Sequence, residues 1–191
     1  MKKNKVLTTL DLSFARCQTV TDKALICLSS ALESFHALSV LRITSLDSEK
    51  FDTQGFKTFF LSLTNFKALR ELKLSFSYGI NLKSEVLKYL SQELEGLSSL
   101  SVLNLDFFEC PNITNAALET LSSSLKSLKT LRELVLSLNN SWAVTNQGIE
   151  NFGRILKGMK SLFYFKIIHD LQQGSFWSRK TITSNPEYNG F

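Results

Sequence analysis

Proline, glycine and cysteine are all scarce in this sequence of 191 residues. It holds two prolines, eight glycines and three cysteines. So little proline and glycine excludes a collagen-like chain, and 43% hydrophobic residues argue against global disorder. Three cysteines are too few for a disulfide framework. The length fits one ordinary domain or a short array of repeats.

Long hydrophobic runs are also missing. No stretch of about 18 apolar residues occurs, which excludes a membrane-spanning helix. Three of the first five residues are lysines, but Asp11 and Arg16 interrupt the segment that would form the apolar core of an export signal. We therefore expect a cytoplasmic protein that does not associate with membranes.

The charge of the chain is mildly basic and evenly spread. The formal net charge is +5, and the 22 lysines and arginines are distributed along the whole sequence. Nucleic-acid-binding proteins usually gather such charges into a patch or stripe. Nucleic acid is therefore not the expected partner.

Leucine is abundant and recurs on a fixed period. A pattern of the form L-x-x-L-x-L, with Phe and Ile in its last copy, repeats every 31 residues without slippage. The six copies begin at Leu7, Leu38, Leu69, Leu100, Leu131 and Leu162. Such self-similarity is typical of repeat architectures, in which each unit is one supersecondary element.

Each unit also contains the signals of a helix. Residues suited to an N-cap recur fourteen positions after most of the starts, at Thr21, Asp52, Lys83, Thr114 and Thr145. Apolar residues then follow at i, i+3 and i+7, the spacing that draws one face of an α-helix. In the fourth unit these are Leu118, Leu121 and Leu125.

The units predict an α/β fold built as a solenoid. Stacked units would form a parallel sheet on one side and a row of helices on the other. Helices are about 10 Å wide and strands about 4.8 Å apart, so the array should curve as a right-handed βα superhelix with the sheet concave and the helices convex. We predict a repeat array over residues 1–170 and an irregular tail over 171–191. The tail could fold back as a cap with Phe176 and Trp177 as plugs, or the chain could be a fragment of a longer array.

The loop after the strand adds a family resemblance. Cys17 is followed by Val20-Thr21-Asp22, and Cys110 by Ile113-Thr114-Asn115. With the leucine pattern, this run resembles the leucine-rich repeat superfamily, most closely its ribonuclease-inhibitor-like and cysteine-containing subclasses. The resemblance covers about residues 5–170. It implies the solenoid fold and a binding role, but it does not specify which one.

The sequence shows no catalytic or metal-binding motif. Nucleotide-binding loops, zinc-protease motifs and C-x-x-C pairs are all missing. We expect Cys17 and Cys110 to be buried in equivalent loops, about 14 Å apart and too far for a disulfide. We also expect Cys27 to be partly buried, and both histidines, His36 and His169, to lie on the surface. The sequence therefore predicts no enzyme activity, no cofactor and no metal.

The residues between the strand leucines are the candidate binding site. Side chains alternate along a strand, so these residues should face outward on the concave side. The candidates for partner contact are Asp11, Arg42, Glu71, Lys73, Asn104, Asp106, Glu133, Val135, Tyr164 and Lys166. The alternative is an ordinary solvated sheet face, on which Asp11 and Arg42, or Glu71 and Lys73, neutralise each other. Apolar residues in the same rows, such as Val102, favour a protein partner.

The expected function is a non-catalytic protein–protein interaction module. Cysteine-containing repeats occur in F-box adaptors, so an alternative is the substrate-recognition arm of an SCF-type ubiquitin ligase, although no F-box-like segment precedes Leu7. Others are an inhibitor that wraps an enzyme and a structural part of a larger signalling protein. The identity of the partner and the oligomeric state stay open.

Overall fold

Strands and helices alternate along the chain. The computed structural model describes residues 7–14, 17, 21–45, 51, 53–173 and 176–183. The strands are β1 (Thr9–Ser13), β2 (Val40–Ser45), β3 (Glu71–Phe76), β4 (Val102–Asp106), β5 (Glu133–Ser137), β6 (Tyr164–Gln173) and β7 (Phe176–Thr183). The helices are α1 (Asp22–Leu32), α2 (Thr53–Ser62), α3 (Glu85–Leu94), α4 (Asn115–Leu125) and α5 (Asn146–Lys157), and a 3₁₀ turn at Leu63–Asn65 extends α2.

The strands form one sheet in the order of the chain. Each of β1 to β5 pairs in parallel with the next strand, and β7 is antiparallel to β6. Equivalent positions of the repeat are direct partners, in the row Leu10, Leu41, Leu72, Leu103, Leu134 and Phe165. The predicted α/β class and the 31-residue register are thus confirmed.

The core lies between the sheet and the helices. The alternating leucines of β2 to β5 are buried, and the helix residues at the predicted i, i+3 and i+7 positions pack with them in one cluster. Neighbouring helices contact each other in chain order. The helix layer therefore covers the sheet in one shared core, and a single unit could not bury its own leucines.

Some helix ends are satisfied by the neighbouring unit. Asn115, at the start of α4, donates through Nδ2 to Thr145 Oγ1 at 2.8 Å and accepts from the Thr145 N–H at 3.0 Å. Thr145 in turn accepts from the Gly148 N–H and caps α5. A Cβ on Gly148 would overlap the Asn115 side chain, so glycine makes this close approach possible.

The predicted N-cap positions fit most helices. Thr21, Thr114 and Thr145 directly precede α1, α4 and α5. The prediction is wrong by one residue at Lys83, because α3 begins at Glu85 after Ser84. Asp52 lies outside the described residues.

The loops after the strands continue the stacking. Tyr78, Glu109 and Asn140 all have positive φ, near 57°, and are spaced by 31 residues. The Tyr78 N–H donates to the Phe108 carbonyl at 2.8 Å, and the Glu109 N–H to the Asn139 carbonyl at 2.9 Å. Asparagine tolerates this left-handed conformation better than tyrosine or glutamate. At Tyr78 and Glu109, the hydrogen bonds to the next unit offset the conformational cost of this backbone geometry.

The prediction of an irregular tail over residues 171–191 is wrong for its described part. β6 continues to Gln173, and residues 176–183 form β7, which pairs with it from Lys166–Thr183 to Gln173–Phe176. The physical reason lies in the chain itself, because Thr181, Ile182 and Thr183 are β-branched and suit a strand. Ile182 is half-buried and lies against Gly153 of α5. The proposed plugs, the side chains of Phe176 and Trp177, lie outside the described residues.

Candidate functional site

The predicted site residues lie on one face of the sheet, in three rows that cross the strands. The first row is Thr9, Val40, Glu71, Val102, Glu133 and Tyr164. The second is Asp11, Arg42, Lys73, Asn104, Val135 and Lys166, and the third is Ser13, Thr44, Ser75, Asp106, Ser137 and Ile168. We call this surface the polar sheet face. All ten predicted residues belong to it.

One member of the polar sheet face is less accessible than predicted. Tyr164 is only 8% exposed, although its outward position predicts an exposed anchor. Tyr164 lies at the start of β6, two residues before the described pairing with β7 begins at Lys166–Thr183. Its described neighbour in the sheet is Glu133 of β5.

The β1–β3 part of the polar sheet face is an ion-pair network. Arg42 Nε lies 2.7 Å from Glu71 Oε1, and Arg42 Nη1 lies 3.6 Å from Asp11 Oδ2. Lys73 Nζ lies 3.4 Å from the same Glu71 oxygen. The hydrogen bond and the charge of Glu71 raise the pKa of Arg42. Burial acts to raise the pKa of Glu71, but the Arg42 hydrogen bond and the two cations outweigh it and lower that pKa.

This network satisfies the charges that it contains. Two cations and two carboxylates face each other, so a partner finds little unbalanced charge there. Exposed ion pairs of this kind stabilise a protein by roughly 0–1 kcal/mol each. The predicted mutual neutralisation is correct for this part of the face.

The β4–β6 part of the polar sheet face has a different character. Val102, Asn104 and Val135 are half-buried side by side, and Lys166 and Glu133 form no ion pair with any described residue. Asp106 Oδ2 accepts from Ser75 Oγ at 3.1 Å, while its buried Oδ1 has no hydrogen-bond partner. This part therefore combines apolar area with polar groups whose capacity is unused.

A cleft lies beside this part, between the segment that joins β5 to α5 and the C-terminal half of β6. Its volume is about 280 Å³. The lining residues are Trp142, Val144, Thr145, Asn146, Gln147, His169 and Asp170. We call it the edge cleft. Sequence reasoning missed it, because the 31-residue pattern describes the units and not the gap between the last two.

His169 is buried, which corrects its predicted surface position. It is 4% exposed, and its Nδ1 lies 3.3 Å from the Leu138 carbonyl. The physical reason is that His169 belongs to β6, which continues past the predicted end of the array and pairs there with β7, and that it lies on the same side of the strand as the buried Phe165 and Ile167. His36 is exposed, as predicted.

The three cysteines occupy three different environments. Cys110 is buried as predicted, and its Sγ donates to the Phe76 carbonyl at 3.2 Å. Burial raises its pKa to about 12, against a smaller opposite effect of a hydrogen bond with the Gly79 backbone. Cys17 is exposed, so its predicted burial is wrong; no described residue takes the place that Phe76 has beside Cys110.

Cys27 is exposed too, although partial burial was predicted. It lies two residues after the buried Leu25 on α1, about 200° around the helix, and so points away from the core.

Two further structural tests bear on function. Within the described part of the chain, no three His, Cys, Asp or Glu side chains come together in a way that could hold a metal ion. Of the helices described, none has both the length and the apolar character needed to cross a bilayer.

No model of a known protein family matches the chain, and no curated protein matches its sequence significantly.

Proposed function

We propose that this chain is a leucine-rich repeat array that acts as a non-catalytic protein-binding module. In this proposal the strands and helices are successive turns of a right-handed βα superhelix, and the polar sheet face is its concave lining. The strict 31-residue register and the parallel sheet in chain order support the repeat array. The helices need more width than the strands, which supports the direction of the curvature.

The observation that carries the binding role is the contrast within the polar sheet face. The β1–β3 part balances its own charges. The β4–β6 part leaves Val102 and Val135 partly exposed beside Glu133 and Lys166, which form no ion pair with any residue that the structure describes. Apolar area surrounded by polar groups is the usual composition of a protein interface. We therefore place the main contact of the partner on β4–β6.

The way in which the side chains are held also favours binding. Residues of a central strand have little backbone freedom to lose when a partner docks, so the entropic cost of association is small.

The experiment compares two pairs of substitutions in the intact chain. A photo-crosslinking residue at Asn104 identifies the partner, and the dissociation constant is then measured with purified components. We expect Val102→Glu with Val135→Glu to weaken binding at least about tenfold, since two buried apolar contacts are replaced by charges. Arg42→Glu with Lys73→Glu should have the smaller effect.

The matched control is Ile26→Glu, which adds a charge at a β-branched residue that is 41% exposed on α1. It should leave the affinity unchanged. Circular dichroism and thermal unfolding verify that every variant is folded. Unchanged affinity in the folded Val102/Val135 variant would reject the polar sheet face as the binding site.

A further inference from the structure

The edge cleft lies beside the polar sheet face and brings polar side chains of two units together. Trp142 and Thr145 come from the β5–α5 segment, while His169 and Asp170 come from β6. Its volume of about 280 Å³ is below the roughly 300–1,000 Å³ of drug-sized ligand pockets. It therefore suits a single long side chain.

One wall of the edge cleft presents hydrogen-bond acceptors. The Nδ1 of His169 can bond to the Leu138 carbonyl only as a donor, which leaves Nε2 as an acceptor in the neutral ring. Asp170 Oδ2 accepts from the Asn140 N–H at 3.1 Å, and no described donor bonds to its Oδ1. Toward the described side chains, both residues thus have acceptor capacity left over.

The neighbouring loop has the same character. Asn139 is 7% exposed, and its buried Oδ1 has no hydrogen-bond partner. Glu109 Oε1 accepts from Asn140 Nδ2 at 3.1 Å. Unsatisfied acceptors and carboxylates therefore concentrate at this edge of a chain whose net charge is +5.

Trp142 supplies an aromatic wall. Its side chain is the most exposed tryptophan or tyrosine among the described residues, at 61%. An indole face attracts cations, and it attracts the planar guanidinium group most readily by stacking.

The N-terminus of α5 opposes a cation, but by a smaller amount. A helix N-terminus is equivalent to roughly half a positive charge, whereas Asp170 carries a full negative one. Thr145 already accepts from the Gly148 N–H, which satisfies one of the free donors there. Among the described groups, the charge balance of the cleft is therefore negative.

We propose that the edge cleft binds an arginine side chain of the protein partner. This inference rests on the proposed function, and it names the chemistry that the partner presents. The guanidinium group would stack on Trp142 and donate to Asp170 and to His169 Nε2. Its planar fork of donors fits this set of acceptors better than the single ammonium group of lysine.

β7 offers the rival explanation. Arg179 pairs with Asp170 in the backbone register, and Lys180 pairs with His169. If these two cations governed the cleft, its ligand would be an anion. The test therefore includes a variant of Arg179.

The experiment uses small probes, so that it does not need the partner. In the full chain with Trp177→Phe, Trp142 is the sole tryptophan. The probes are Nα-acetyl-arginine amide and, as its opposite in charge, Nα-acetyl-glutamate amide. Their binding is measured by Trp142 fluorescence and by nuclear magnetic resonance. We expect saturable binding of the arginine probe and none of the glutamate probe.

Three variants decide the outcome. Asp170→Asn keeps an acceptor for the Asn140 N–H but removes the charge. It should raise the dissociation constant of the arginine probe about tenfold, which corresponds to the loss of one charged hydrogen bond. The matched control Glu119→Gln, on the exposed side of α4, should have no effect. Arg179→Ala should not weaken binding.

Binding of the glutamate probe, loss of arginine binding in Arg179→Ala, or indifference to Asp170→Asn in a folded protein would each overturn the proposal. The Val102→Glu with Val135→Glu variant should still bind the probe. A failure of the arginine-binding proposal can thereby be distinguished from a failure of the proposed function.

Discussion

The first and fourth βα units follow the same leucine pattern but differ in how well they bury it. In the first unit Leu10 and Leu12 are only half-buried, whereas their equivalents Leu103 and Leu105 are completely buried. The fourth unit has a neighbour on each side, while β1 has a single neighbour among the described strands. Burial of a repeat residue is thus supplied by adjacent units as much as by its own sequence.

The cysteines show the same difference in a polar contact. Cys110 reaches the carbonyl of Phe76 in the preceding unit, and Ser141, its equivalent in the next unit, reaches the carbonyl of Phe107 at 3.2 Å. Cys17 has the equivalent sequence position and is exposed. Identical positions in a repeat can therefore hold groups with very different reactivity.

The strongest test of the comparison is truncation of matched leucines. Leu103→Ala should cost about 2–5 kcal/mol of unfolding free energy, because it opens a cavity in a fully buried site. Leu10→Ala should cost less than half as much, since its side chain already contacts water. Urea unfolding followed by circular dichroism gives both values. Equal losses would mean that the first and fourth units bury this position equally well in solution.

Alkaline pH should expose the difference between the cysteines. Burial holds the pKa of Cys110 at about 12, above the ordinary value of 9.0. The folded state therefore keeps a proton that the unfolded state releases, so the stabilisation is full below about pH 9 and is lost as the pH rises towards 12. Three pKa units correspond to about 4 kcal/mol at most.

Cys110→Ser is the matched variant, because Ser141 already makes the equivalent hydrogen bond. In this variant the free energy of unfolding should fall less between pH 9 and 12 than in the wild type. The difference between the two proteins cancels the contributions that other groups make equally to both. In thiol labelling of the native protein at neutral pH, Cys17 and Cys27 should react quickly and Cys110 only on unfolding. Rapid labelling of all three would contradict the buried position.

The contact between α4 and α5 predicts a smaller effect with a distinct signature. Asn115→Ala removes two hydrogen bonds to Thr145 and should cost about 1–2 kcal/mol. Gly148→Ala should also destabilise, because its Cβ would overlap Asn115. The double variant should be more stable than the sum of the single losses implies, since removal of Asn115 makes room for the methyl group. If the losses of stability in thermal unfolding were additive, the Asn115 side chain and a methyl group at position 148 would not be in contact.

The sequence was informative wherever the repeat governs the structure. It predicted the α/β class, the row of equivalent leucines and the three rows of the polar sheet face, because period and alternation determine which residues become neighbours. It failed at the last unit, where β7 follows β6 in place of a helix and where His169 and Tyr164 are buried. The edge cleft was missed for a related reason, since it depends on how a loop of one unit meets the extended strand of the next. Such contacts belong to no repeating position.

The ion-pair network gives the smallest predicted effect and distinguishes the two parts of the polar sheet face. Its cations lower the pKa of Glu71, so the network stabilises the folded state above about pH 4.5 and loses that contribution as the pH falls. Because these side chains are in contact with water, Glu71→Gln should cost about 1 kcal/mol or less at pH 7. The cost should shrink in 1 M salt, where the screening length is about 3 Å. Lys126→Ala on the exposed side of the helix layer should change stability by less than about 0.5 kcal/mol and serves as the control. A salt-independent loss above about 2 kcal/mol for Glu71→Gln would mean that the β1–β3 part is a buried polar core, and the distinction between a self-neutralised part and a binding part would then be wrong.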